Sequence, residues 1–342
     1  MKEKILLSGY TKRESKGVYS IILDTEKKEI SELEEVVSVN GPTYLTVDDR
    51  GHLYTVSADS QGNGGTSAFS FDGSKASLLN NVLASGASNC HVSVDSKRHL
   101  VYATNYHEGE VRVYKQLADG SLELTDTVKH EDHHGPKPEQ KGPLCHFVVL
   151  TPDDYLAVCD LGNDSIFTYK VSNDGKLSLY AQYHSAAGSG NRHLEFSHDG
   201  KTAYLACELD STVEVLNYRD GKFELVQKIS TLPSDYTGFN GVAAIRLTSD
   251  NRFLYVSNRG HDSLAIYAIS EAGKHLELID ITKTEGNIPR DFNLAGNDEF
   301  ILVAHQDSDN LTLFSRDITS GKLSLLQKDF YAPEITCVLP IK

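Results

Sequence analysis

The stretch VAAIRLTSDNRFLYVSNRGHDSLAIYAISEAGKHLELIDIT, residues 242–282, decides the fold. VAAIRLTS (242–249) is short and alternates or runs apolar, as half-buried or buried strands do. SDNR turns, and FLYVSN (253–258) is a buried strand. RGHDS turns again, SLAIYAI (263–269) is a third strand, SEAGKH turns, and LELIDIT (276–282) is a fourth. The strands are rich in Val, Ile, Tyr, Phe and Thr. The turns are built from residues that bond their own backbone or tolerate unusual dihedrals.

The middle of this unit recurs along the chain. SNRGHDSLAIY (257–267) has counterparts in ACELDSTVEVLNY (206–218), CDLGNDSIFTYKV (159–171) and AHQDSDNLTLFSR (304–316). ATNYHEGEVRVYK (103–115) and VSADSQGNGGTSAFSF (56–71) are looser copies, and LSGYTKRESKGVYSIIL (7–23) is a seventh. Aligned on the residue that ends the short apolar run, the copies meet at Tyr10, Ala58, Tyr106, Leu161, Glu208, Arg259 and Gln306, at intervals of 48, 48, 55, 47, 51 and 47. A period near 40–50 matches a propeller blade, one four-stranded antiparallel sheet.

Six copies have their own first strand, and the N-terminal copy lacks one. EITCVLPI (334–341) supplies it, so the two chain ends are expected to share a blade. Such closure removes open sheet edges. The expectation is an all-β, seven-bladed β-propeller of four-stranded antiparallel blades, a single domain spanning 1–342.

Composition narrows the partners. The net charge of −15 argues against nucleic acid or an anionic membrane surface. No run of about 18 apolar residues offers a membrane span. The start, MKEKILLSGYTK, has three consecutive apolar residues, too few for a secretory signal. The five cysteines fall singly in predicted strands, without CxxC spacing, as buried reduced thiols do. These features point to the cytoplasm.

In a propeller, equivalent positions of successive blades form rings around the central channel. First-strand entries are Thr43, Cys90, His146, Arg192, Ala243, Arg290 and Ile335. With the second-strand ends given above, consecutive blades bring together His146, Arg192, Glu208, Arg259, Arg290 and Gln306. Structural pairing of charges at a channel mouth would account for Arg192 and Glu208. Three arginines against one glutamate are unbalanced for that purpose. The set reads as an anion site with a general base, since the guanidinium fork matches carboxylate and phosphate. Tyr106 belongs to the second-strand ring, and His193 shares a register with His91, where both either line the channel or pack in the core.

The longest interval holds the insertion KHEDHHGPKPEQKGPLC (129–145), a surface loop or a flap over the mouth. Its His130, His133 and His134 lack carboxylate or Cys partners at set spacing, so no metal and no cofactor is expected. G-x-S-x-G and P-loop motifs are absent, as is Trp, which argues against common repeat-type protein-binding propellers.

On NRHLEFSHDGKTAYLACELDSTV (191–213), RFLYVSNRGHDSLAIY (252–267) and PRDFNLAGNDEFILVAHQDSDNLTLF (289–314), the chain resembles the cytoplasmic seven-bladed lactonase family. DLGNDSIFTYKV (160–171) and ATNYHEGEVRVY (103–114) carry the same likeness. That family includes propeller-type 6-phosphogluconolactonases and a carboxymuconate cycloisomerase. The resemblance implies a catalytic set of His146, Glu208, Arg192 and Arg259, with either His146 or Glu208 as base. Arg290, Gln306, Tyr106 and His193 are expected to contact the substrate. It implies hydrolysis of a small anionic sugar lactone, 6-phosphoglucono-1,5-lactone, to 6-phosphogluconate in the pentose phosphate pathway. Muconate-type cycloisomerisation, or binding of an anionic metabolite or protein without catalysis, are the alternatives. The sequence departs from the family pattern ahead of His146, where Glu139 and Leu144 replace an Arg and a His.

Overall fold

The computed structural model of the chain describes residues 1–131 and 135–341. Seven four-stranded antiparallel sheets are arranged as blades. Blade 1 is built by both chain ends: its innermost strand is Ile335–Ile341, followed outward by Lys2–Gly9, Gly17–Asp24 and Glu29–Ser38. Blades 2 to 7 follow in chain order, with first strands at Leu45–Val47, His91–Asp95, Cys145–Leu150, Asn191–Phe196, Gly241–Leu247 and Pro289–Ala295. First strands of neighbouring blades touch around the ring, so they line the channel. The expected fold and its shared terminal blade are therefore present. Two strand details differ. The entry positions Thr43 and Cys90 sit just ahead of their strands, which begin at Leu45 and His91; in blade 2 Pro42, with no N–H to donate, precedes the start.

Alternation along each strand sends one set of apolar side chains to each face. Every face then packs on the next blade. Seven buried clusters result, each shared by consecutive blades, and the one joining Leu302 and Leu311 of blade 7 to Ile5 and Ile21 of blade 1 completes the circle. Buried second-strand tyrosines stitch blade to blade. Tyr54, Tyr204 and Tyr255 donate to the carbonyls of Gly120, Gly273 and Gly321 in turns of the following blade, at 3.0, 2.8 and 2.7 Å.

The feature that matters most for function is a bulge. Pairing between first and second strands skips His146, Arg192, Arg290 and Thr336. An extra residue of this kind bends the strand and re-aims its side chain. The four bulged side chains, from four blades, all border one narrow space in the channel. In blade 1 the bulged residue is Thr336, one position later than the Ile335 read from the repeat, and Ile335 itself is fully buried in the core.

The insertion ahead of blade 4 is anchored to that blade in its described part. Gln140 Nε2 donates to the Leu161 carbonyl (2.9 Å) and to Asp164 Oδ1 (2.8 Å). His133 and His134 lie outside the described residues. His130 is buried between blades 3 and 4, where Nδ1 contacts Asp160 Oδ2 at 2.6 Å and Nε2 meets the Tyr169 hydroxyl at 3.0 Å. No helix among the described residues is long and apolar enough to cross a membrane.

Candidate active site

A cavity of about 300 Å³ opens at the channel mouth, and two of the bulged residues, His146 and Arg290, lie on its wall. All seven blades contribute to it: Tyr10, Thr43, Tyr106, His146, Glu208, Arg259 and Arg290 lie on its wall, in blade order. His107 and the segment Ser88, Asn89 and Cys90 complete the lining. No described residue of the insertion lines the cavity.

Glu208 is the hub. Its Oε2 lies 2.8 Å from Arg192 Nε and its Oε1 2.9 Å from Arg259 Nη2. The Arg192 contact is an ion pair rather than an aligned hydrogen bond, because the Nε–H does not point at the oxygen. Arg259 is fixed further by donating to the carbonyls of Gly241 and Val242, both at 3.2 Å. Gly241 leaves room for the pair: a Cβ there would stand 3.1 Å from the Arg259 guanidinium, crowding it, and 3.5 Å from the Glu208 side chain. Burial opposes ionisation of Glu208, but Arg259 and Arg192 outweigh it and hold the carboxyl below the usual glutamate range. Burial and Arg259 bring Arg192 down to about 9, against the pull of Glu208, so it stays cationic at neutral pH.

His146 differs in kind. Burial, then the nearby Arg192, Arg290 and Arg259, push its imidazole well below the ordinary histidine value, so the ring is neutral near pH 7. Nδ1 is buried without a partner, and the ring lies on the cavity wall, leaving Nε2 as the nitrogen that reaches the cavity. Tyr106 meets the ring edge-on at 5.8 Å, and its phenol is pushed up to about 12 by burial and Glu208. The Cys90 thiol donates to the His146 carbonyl at 3.3 Å and to that of Cys145 at 3.4 Å, tethering the bulged backbone. Burial raises this thiol, so it is no thiolate nucleophile.

The remaining residues singled out in the sequence fall into two positions. Arg192 and His193 lie beneath the cavity, in a narrow space bordered also by Thr336 and Asp291. There Arg192 Nη1 stands 3.0 Å from His193 Nε2. His193 belongs to an aromatic plug, with ring centroids 4.6 Å from Phe147, which is 4.2 Å from His91, itself 4.2 Å from Tyr44. Gln306 does not line the cavity; its Oε1 accepts from Arg290 Nη1 at 3.0 Å. Sequence reasoning passed over Tyr10, Ser88 and Asn89 as site residues. Tyr10 was a visible ring position, but Ser88 and Asn89 sit in a loop outside the repeat and carried no signal.

Three guanidiniums around one carboxylate leave a cationic surplus, set beside a neutral imidazole. Such a site can bind an anion, stabilise an oxyanion and move a proton. Among the described residues, one grouping has metal-ligating atoms within 4.8 Å of one another: His130, Cys145 and Asp160. It lies inside the blades, and its atoms already bond one another, with Asp160 Oδ1 also accepting from the Leu144 and Asn163 backbone at 2.8 and 3.1 Å.

The chain is matched over residues 4–340 by the family model described as lactonase, 7-bladed beta-propeller. It is 59% identical to an uncharacterized protein of Lactococcus lactis subsp. cremoris, over 100% of both chains. It is 37% identical to the 6-phosphogluconolactonase of Bacillus subtilis, over 96% of this chain and 95% of that one. Among solved structures, the periplasmic gluconolactonase of Pseudomonas aeruginosa superposes with a TM-score of 0.93 at 29% identity, over 100% of this chain and 99% of that one. Matched from end to end on the ring that builds the cavity, the chain belongs to the seven-bladed β-propeller lactonase family.

Proposed function

We propose that the protein hydrolyses a sugar lactone, 6-phosphoglucono-1,5-lactone, to the open acid, as the lactonase step of the pentose phosphate pathway in the cytoplasm. The observation that carries this reading is the surplus of guanidinium charge around Glu208 next to the neutral ring of His146. A chain of net charge −15 that sets two arginines on the cavity wall and a third just beneath it has built a local site for a small anion.

The chemistry follows from the positions. A water between His146 Nε2 and the lactone carbonyl gives its proton to Nε2 as its oxygen attacks the carbonyl carbon. The carbonyl oxygen becomes an oxyanion, and Arg259 on the cavity wall stabilises it. The carbon–ring-oxygen bond then breaks, and protonated His146 returns the proton to the departing ring oxygen. Glu208 is ill suited as base: both oxygens face arginines, and its carboxyl sits below the usual range. Its part is to hold Arg192 and Arg259 together without mutual repulsion.

The test is acid production from 6-phosphoglucono-1,5-lactone, measured above the spontaneous background. Turnover that His146→Gln abolishes supports the reading; wild-type rates equal to background refute it. The same guanidinium surplus favours a second reading, cycloisomerisation of a muconate-type diacid, for which turnover of the diacid without lactone hydrolysis is the discriminating result.

A further inference from the structure

The arginines of the cavity are not equivalent. Arg192 and Arg259 share Glu208, and Arg246, further down the channel, pairs with Asp291 at 2.8 Å. Arg290 has no carboxylate within ion-pair distance among the described residues; its partner is the neutral amide of Gln306. Its guanidinium stands over the Tyr10 ring, 5.6 Å from the centroid. Lys12 Nζ stands over the same ring at 4.2 Å, is exposed, and likewise has no carboxylate partner among the described residues. One aromatic ring on the cavity wall thus carries two uncompensated cations.

This rim is built, not incidental. Glu334 is buried, and its carboxylate accepts the backbone N–H groups of Lys12, Arg13, Glu14 and Ser15 at 2.9, 2.9, 3.1 and 3.2 Å. A buried charge is thereby spent on holding the N-terminal segment against the mouth. The position in the ring is also informative. Arg290 and Tyr10 belong to blades 7 and 1, whereas His146, Glu208 and Arg259 belong to blades 4 to 6. In a 6-phosphorylated 1,5-lactone the carbonyl carbon and C5, which bears the phosphorylated arm, flank the ring oxygen, so a phosphate held at Arg290 leaves the carbonyl within reach of Arg259 in the adjacent blade and of His146, which borders the same narrow space as Arg290.

We propose that Arg290, Tyr10 and Lys12 form the subsite for the phosphate dianion of the substrate and so select phosphorylated sugar lactones over unphosphorylated ones. The assignment rests on the lactonase reading for the reacting end, but recognition of the phosphomonoester can be measured apart from it. A phosphate requires charge that is not already neutralised, and Arg290 and Lys12 supply it.

The experiment compares kcat/KM for 6-phosphoglucono-1,5-lactone and glucono-1,5-lactone in the wild type, Arg290→Gln, Arg290→Lys and Lys12→Met. The ratio of phosphorylated to unphosphorylated substrate should fall about 10- to 100-fold in Arg290→Gln and by a smaller factor in Lys12→Met, the scale of one lost charged hydrogen-bonding partner. Arg290→Lys should keep part of the ratio, and it carries the test with Lys12→Met if Arg290→Gln does not fold. Equal losses on both substrates would overturn the proposal. Calorimetry with 6-phosphogluconate, gluconate and inorganic phosphate separates recognition from chemistry. A wild type that hydrolyses neither lactone, yet binds 6-phosphogluconate and loses it on Arg290→Gln, ends the lactonase reading and leaves the subsite standing. Gluconate binding as tight as 6-phosphogluconate ends the subsite whatever the rates. Inorganic phosphate binding that Arg290→Gln leaves intact also overturns it.

Discussion

Replacing Glu208 by Gln separates its two conceivable roles. The amide keeps one acceptor oxygen, but its NH2 group now faces a guanidinium. Arg192, with 3% of its side chain exposed, then loses its compensating charge inside the protein. Breaking a fully buried ion pair costs roughly 3–5 kcal/mol; Glu208 keeps 19% exposure, so about 2–4 kcal/mol is expected. An unfolding entropy of about 2.1 cal/mol/K per residue over 342 residues makes each kcal/mol worth about 1.4 °C, or a fall of about 3–6 °C in Tm. The displaced Arg259 should cost kcat about 10- to 100-fold through misplacement. The sign of the pH dependence follows from the lowered carboxyl. Its stabilisation is complete above the unfolded glutamate value of 4.5 and is lost as pH falls through the lower folded value. The stability gap between wild type and E208Q should therefore be full at neutral pH and close in acid. Thermal melts from pH 7 to pH 3, with lactone turnover on the same preparations, measure all three quantities. A 10³-fold or larger loss of kcat with an unchanged Tm would refute this reasoning and make Glu208 the base.

His146→Gln should lower kcat about 10²- to 10⁴-fold with little change in Tm, the span of a positioned general base; a rate within threefold of wild type would remove His146 from the mechanism. Because its neutral form is the active one and its value lies well below 6.5, the acid limb of kcat/KM should fall below pH 6.5, leaving the rate flat from there to pH 8 after background subtraction; a limb near pH 7 would contradict the environment described. Deleting 334–342 removes the innermost strand of blade 1 and the buried Ile335 and Val338, so soluble, cooperatively melting protein should not be recovered; an unchanged melt would show that blade closure is dispensable. A strong chelator should leave turnover unchanged, since among the described residues Glu208 is the one carboxylate lining the cavity and is committed to two arginines; loss of activity restored by zinc or calcium would point to a metal-dependent mechanism.

The fold was legible because a strand repeat leaves a mark in every copy. Intervals of 47 to 55 residues, and a missing first strand at one end matched by a spare strand at the other, are enough to count blades and close the ring. The residues near the mouth were legible for the same reason: a shared register places Glu208 and Arg259 alike. Depth was not legible. Pairing slips by one residue at each bulge, and a repeat counted in residues cannot tell a paired position from a bulged one. That is why Ile335 was read where Thr336 stands; Arg192 and His193, adjacent in sequence, border the narrower space beneath the cavity instead of lining it. Compensation was legible only in part: the pairing of Arg192 with Glu208 was readable, the second arm from Glu208 to Arg259 was not. Three arginines look alike in sequence, yet two are tied to Glu208 and one is left with an amide. Arg192 meets Glu208 within blade 5 and Arg259 meets it from blade 6, whereas Arg290 in blade 7 has the amide of Gln306 from its own blade. On the proposed reading this difference also divides the site: the neutralised pair would serve the reacting carbonyl, and the uncompensated Arg290, beside it with Tyr10 and Lys12, would meet a charge that arrives with the substrate.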